Sequence, residues 1–348
     1  MDNYALIDRL NAEKSLTHAE WTALFDSFDD GTREYASSIA RRIAIDRFGN
    51  GIYFRGIIEF TNICKNNCYY CGIRAGNPHA VRYRLEPDTI LDCCESGYAA
   101  GFRTFVLQGG EDPYFTDDRM AEIVSVIHAR YPDCAITLSI GERTRESYER
   151  LYRAGANRYL LRHETANRAH YERLHPASMS FDNRMRCLRD LKAIGYQTGC
   201  GMMIGSPFQT AACLADDMLF MRAFKPEMIG IGPFLPHHDT PFRDERPGGL
   251  DLTLLCLSLC RIMLPDVLLP ATTALGTAAG DGRKRGVLAG ANVIMPNLSP
   301  KVRRKDYMLY DNKAVTGDDA AESLNILRTH LSEIGYELRI TRGDFGGK

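Results

Sequence analysis

Three cysteines in one short segment have the spacing to do joint chemistry. They are Cys64, Cys68 and Cys71 in Phe60-Thr61-Asn62-Ile63-Cys64-Lys65-Asn66-Asn67-Cys68-Tyr69-Tyr70-Cys71. Cys-x3-Cys-x2-Cys lets three thiolates converge on one face of an iron–sulfur cluster, for which thiolate is the usual ligand. Three ligands leave one iron of a [4Fe–4S] cube open to an exogenous chelator. Zinc is the competing reading, but a closed structural zinc site takes four ligands. No Cys or His stands at close spacing after Cys71, and His79 is the nearest candidate. An ordinary redox cluster would also take a fourth cysteine, and chance spacing is the third alternative. The remaining cysteines of the 11 include Cys187, Cys213, Cys256 and Cys260 in apolar surroundings, where a buried free thiol is the plain reading. An odd, scattered count is no disulfide framework.

The elements that must position the triplet alternate along the chain. Residues 1–50 read as a helical extension, with apolar periodicity through Leu6, Leu10, Trp21, Leu24 and Phe25. Short β-type runs follow at 57–60, 104–107, 136–139, 158–161, 202–204, 228–231, 268–271 and 292–295. Helical patterns at 87–100, 116–130, 144–154, 181–194, 210–223, 252–264 and 277–289 separate them, with Asp182 and Thr210 as N-cap candidates. Eight such βα units suggest an α/β fold closed as a (β/α)8 TIM barrel over 51–300. Pattern alone does not separate that from an open six-strand sheet with extra elements. Residues 301–348 form a short segment with the basic run Lys301-Val302-Arg303-Arg304-Lys305, a final helix at 318–333 and a loose tail, Gly346-Gly347-Lys348. The triplet would lie in the first loop at the C-terminal mouth, where barrels build active sites.

Further residues would gather at that mouth. Gln108-Gly109-Gly110-Glu111 ends the second strand, and its glycines let backbone approach a ligand. Alternation along the fourth strand puts Arg158, Leu160, Arg162 and Glu164 on one face and Tyr159, Leu161 and His163 on the other. Inward arginines are costly unless paired or serving a ligand. Pro236-His237-His238-Asp239 suggests metal, but sequence neighbours rarely both point at one ion, so it reads as a surface loop. Thr272 and Thr273 precede a helix start, where hydroxyls and free amides either bind a carboxylate or simply cap.

Composition sets the boundaries. The chain has 348 residues, 45% hydrophobic and 25% charged, with a formal net charge of −1. This is globular composition, with no electrostatic case for nucleic acid or an anionic membrane surface. No apolar run reaches the roughly 18 residues of a membrane span or resembles a signal peptide. The cytoplasm is the expected location.

The Cys-x3-Cys-x-aromatic-Cys loop, with Tyr70 in the aromatic position, resembles the radical S-adenosylmethionine (SAM) superfamily. That resemblance implies that the SAM amino and carboxylate groups chelate the fourth iron, and that one electron cleaves the sulfonium to a 5′-deoxyadenosyl radical. It further implies that Gly109, Gly110 and Glu111 meet the SAM amino group, Glu164 the ribose and Arg184 the carboxylate. Met203 or Ile204 would supply an apolar floor, and Met228 is a further expected cofactor-binding residue. Relatives usually carry glycine where Phe208 stands.

Four segments are similar to the [FeFe]-hydrogenase maturase family HydE: Arg158–Asn167, Gly230–His237, Pro270–Ala274 and Gly290–Asn297. The likeness runs from about residue 50 to 310. It implies a full barrel around a long cavity, with Gln108, Thr137, Arg158, Arg162, Thr272, Thr273 and Tyr307 lining a substrate site. The implied substrate is an anionic, cysteine-bound iron carbonyl–cyanide complex, for which inward guanidinium groups are suited. The implied partners are other hydrogenase maturation proteins and a reductant such as ferredoxin or flavodoxin. Some family members bind an auxiliary cluster through cysteines near the C-terminus. Here no cysteine follows Cys260, so no such cluster is expected. The alternatives are a methylornithine-synthase-like mutase and a biotin-synthase-like sulfur inserter, whose second cluster would want cysteines where Gln108 and Thr137 stand. A non-enzymatic cluster carrier is the alternative from another class, and it would have no need of Glu111, Glu164 and Arg184.

Overall fold

Apolar β-type runs that alternate with capped helices fold here into parallel staves. The computed structural model describes residues 2–314 and 319–346. Its strands are β1 (Gly51–Phe54), β2 (Gly56–Thr61), β3 (Thr104–Gly109), β4 (Ala135–Ser139), β5 (Arg158–Leu160) and β6 (Gln197–Cys200), followed by β7 (Met203–Ile204), β8 (Met228–Ile229), β9 (Gly232–Pro233), β10 (Val293–Ile294) and β11 (Glu337–Arg339). A parallel sheet runs β2-β3-β4-β5-β6-β8, and β7 pairs with β9 to extend two of its staves. Single bridges complete the circle: Met228 to Leu268, Pro270 to Val293 and Ile57 to Asn297. β10 also pairs with β1. The amide of Leu268 donates to the Glu227 carbonyl at 3.0 Å, and that of Ala271 to Val293 at 2.8 Å. The sheet is therefore a closed eight-stave barrel rather than an open one.

The helices correct the sequence reading in places. Helix Phe181–Ile194 is capped by Ser180, whose side chain accepts from the Asn183 amide, so Asp182 lies in the first turn instead. Thr210 caps Ala211–Phe224 as expected. The stretch 277–289 divides into Thr273–Ala278 and Gly282–Leu288, because Ala279-Gly280-Asp281 interrupts it. Arg168–Leu174 and Lys301–Arg304 are helices the pattern did not show. The last helix is Ala320–Ser332. Its expected start at residue 318, and the tail residues Gly347 and Lys348, lie outside the described residues.

Three helices, Asn3–Glu13, His18–Ser27 and Asp30–Phe48, precede the barrel and lie on its outer helices Ala211–Phe224 and Leu250–Met263. Leu6, Leu10, Trp21 and Leu24 join the same buried cluster as Met218 and Leu255. At the other end of the chain, β11 pairs with β1 beneath the barrel. No helix of the described residues is long and apolar enough to cross a membrane.

Candidate active site at the barrel mouth

A cavity of about 350 Å³ runs down the barrel axis from the cysteine loop to Arg55 near the floor. Cys64, Cys68 and Cys71 all border it, each half-buried and none in a disulfide. Their sulfurs are not gathered within 4.8 Å of one another, the span of a single ion's ligands. Burial pushes the Cys68 thiol up to about 12, against the pull of Arg184, and burial also raises Cys71. Such thiols stay protonated unless a bound metal centre makes thiolates of them.

The loop around them is built on glycine. A Cβ on Gly110 would stand 2.2 Å from the Ile63 carbonyl and 2.8 Å from Cys64 Cβ. Only a residue without a side chain lets the end of β3 come this close to the cysteine loop. The Glu111 amide donates to Cys64 Sγ at 3.4 Å, and the Lys65 amide donates to the Glu111 carbonyl at 3.0 Å. Gly110→Ala is expected to displace this loop. Its measured signature is a several-fold lower iron content after reconstitution, with the far-ultraviolet circular dichroism of the parent.

Acid–base partners surround the thiols. Arg184 is buried and donates to Glu142 and to the Arg162 carbonyl. Arg162 Nη2 lies 3.0 Å from Glu164 Oε2, yet neither atom finds a hydrogen bond of good geometry. Glu164 itself sits at φ 65°, a left-handed conformation of the sort that clusters at functional sites. Glu111 accepts from the Glu142 amide at 3.0 Å. Tyr70 reaches His175 Nε2 at 3.1 Å, and the other ring nitrogen of His175 meets the Tyr171 carbonyl at 2.9 Å. Burial lowers His175 to about 3, which keeps that ring neutral. Met203 and Met228 line the wall. Phe208 keeps the glycine-like backbone at φ 68°, with the Arg173 guanidinium over its ring at 3.3 Å.

Lower in the cavity stand Gln108, Thr137, Thr272, Thr273 and Tyr307. The hydroxyls of Thr137 and Thr272 are buried without a protein partner. Arg158, expected among these, turns away. Its side chain is fully buried, and its guanidinium is held by Asp344, the Arg342 carbonyl and Thr104 in the barrel floor. His163 faces outward, where Nε2 is 3.2 Å from Asp217. Sequence reading missed Arg55, Glu59 and Lys313, which line the same cavity. Lys313 pairs with Glu59, whose other oxygen accepts from Asn297 at 2.7 Å. The signal was present, since 55, 57 and 59 alternate inward along the first stave.

A closed parallel barrel that turns three open thiols into an axial cavity, beside a Gly-Gly-Glu strand end, defines the radical SAM class of enzyme. Residues 58–221 match the Radical SAM superfamily. The [FeFe] hydrogenase maturase subunit HydE of Thermotoga maritima is 46% identical over 82% of this chain and 81% of its own. The 3-methylornithine synthase of Methanosarcina barkeri is 30% identical over 79% and 77%. The crystal structure of methylornithine synthase (PylB) superposes with a TM-score of 0.82 at 25% identity, covering 96% of this chain and 97% of that one. The chain belongs to the HydE family of radical SAM enzymes. Membership implies a [4Fe–4S] cluster and SAM, and the residues present fit both: an open set of three thiols, a glycine cradle, and cavity hydroxyls with no protein acceptor.

Proposed function

We propose that Cys64, Cys68 and Cys71 hold the cluster and that SAM lies among Gly109, Gly110, Glu111, Glu164, Arg184, Met203 and Met228. The cavity beneath then receives an anionic iron complex, a cysteine-bound iron carbonyl–cyanide precursor, during maturation of [FeFe]-hydrogenase. When bound, the cluster and SAM supply one-electron cleavage of the sulfonium and hence a 5′-deoxyadenosyl radical.

The chain's own residues bind and orient. One observation carries the reading: Thr137 and Thr272 present buried, unpartnered hydroxyls to the cavity that Arg162 and Arg55 also border. Buried donors left without acceptors cost free energy, and a ligand rich in acceptor atoms and negative charge removes that cost. The pair Glu59–Lys313 adds a hydrogen-bonding wall without changing net charge. The C-terminal segment after Cys260 contains no cysteine, so we infer that the reaction runs on one cluster. Other maturation proteins, a ferredoxin or flavodoxin as reductant, and a cytoplasmic location complete the proposal.

The deciding experiment offers the reduced, reconstituted protein either the iron–cyanide precursor or lysine. Conversion of the iron complex, with 5′-deoxyadenosine as coproduct, is expected. Conversion of lysine to methylornithine would replace this reading with that of the mutase.

A further inference from the structure

The loop after β9 does more than cross the surface. His237, His238 and Asp239 bring one ligand atom each within 4.8 Å of one another. The two rings lie on the same side of the turn, stacked at 4.4 Å and 19°, so being neighbours in sequence does not keep them apart. His237 Nδ1 accepts the Asp239 amide at 3.1 Å, and Thr240 closes the turn onto the His237 carbonyl at 3.0 Å. Two further groups converge. Asp311 approaches His238 Nδ1 at 2.7 Å and His237 Nε2 at 3.9 Å, while His79 Nδ1 meets Asp239 at 2.8 Å.

Charge points to a cation here. Among the described residues, neither Asp239 nor Asp311 pairs with a lysine or arginine; their ion-pair partners are all imidazoles, and Asp311 also accepts the His238 amide at 3.0 Å. His237 is buried and presses on the cysteine loop, where a Cβ on Gly72 would lie 2.3 Å from its Cδ2. We propose that His237, His238 and Asp239, supported by Asp311 and His79, form a second metal site for a single divalent ion of the zinc or ferrous type. Imidazole with carboxylate suits such ions. A tetrahedral ion about 2.1 Å from each ligand needs them about 3.4 Å apart, a closure the exposed His238 supplies by rotating its side chain. The ion exchanges the weak His237–Asp239 amide contact for a bond. It ties three segments together: the loop carrying His79, the turn at 237–239, and the chain at Asp311 that crosses the mouth beside Gly72, the residue after Cys71.

The test uses cluster-loaded protein, washed with a chelator and titrated with Zn2+ against a chromophoric competitor. One added zinc per chain is expected, with a higher unfolding temperature. His238→Ala and Asp239→Asn should each weaken that zinc about 10- to 100-fold or more, the range seen even for groups one shell out from a metal, with iron and sulfide content unchanged. His79→Ala, at an exposed position, should lie at the weak end of that range. No added zinc, or zinc held equally by parent and variants, overturns the proposal. The readout is metal content, so it stands apart from whatever substrate the axial cavity takes.

Discussion

Cys68→Ala protein, reconstituted anaerobically and reduced in the presence of SAM, is expected to release no 5′-deoxyadenosine above background. The anticipated loss is about three orders of magnitude or more, as when a group that serves only the chemical step is removed. The reason is geometric. Cys64, Cys68 and Cys71 approach the cavity from one loop, and two sulfurs cannot fix a cube that already lacks its fourth protein ligand. Alanine removes a half-buried thiol, with Met179 Sδ 3.6 Å away as its neighbour, and no cysteine of the loop beyond Cys64 and Cys71 is there to replace it. The measurement is 5′-deoxyadenosine by chromatography alongside iron content. Continued cleavage by the variant would show that the triplet does not hold the catalytic cluster. An intact cluster without cleavage in the parent protein would favour the carrier.

Asp344→Ala is expected to cost about 2–4 kcal/mol of stability, because truncating one partner leaves a buried charge uncompensated. Arg158 is fully buried; Asp344, at its side, also accepts from Gln197 at 3.0 Å and pairs with Arg342. The Asp344 carboxyl is held below the usual carboxylate range: burial raises it, but Arg158 and Gln197 more than offset that. At about 2 °C per kcal/mol for a chain this long, thermal unfolding should fall by roughly 4–8 °C. Steady-state affinity for the cavity's substrate should stay near that of the parent, since Arg158 points at the floor. A large change in affinity with unchanged stability would return Arg158 to the substrate site.

Arg158 also shows where sequence reading stops. Alternation along a strand separates two faces, and Leu160, Arg162 and Glu164 border the cavity, but so does Leu161 from the other face, while Arg158 does not. It does not tell up from down. A long side chain low on a stave follows whatever carboxylate lies nearest, here one supplied 186 residues later by Asp344. Five of the first six staves were legible as apolar runs with a helix after each; the fifth, expected at 202–204, lies instead at Gln197–Cys200, a polar, glycine-containing stretch, with Met203–Ile204 only its short extension β7. The seventh stave pairs through single bridges and carries Pro270, and the eighth joins the first by a ladder of only two residues, so closure of the ring had to be seen. The cysteine loop and the Gly-Gly-Glu strand end stood out by type and position and border the cavity, whereas Thr137 came only through the family resemblance and Thr272 and Thr273 read equally well as helix caps. His237, His238 and Asp239 did not, because whether adjacent side chains share a face depends on the turn that Thr240 closes.

The pairing of β11 with β1 sets a schedule for making this protein. Residue 53 leaves the ribosome some 286 residues ahead of its partner Arg339, an interval of about 15–60 s at 5–20 residues per second. Throughout it, the underside of the nascent barrel exposes Arg55, Arg158 and the edge of β1. A chain stalled or cut before residue 337 has its thiols, its glycine cradle and most of its staves, yet remains open from below; chaperone dependence should track synthesis of that final stretch.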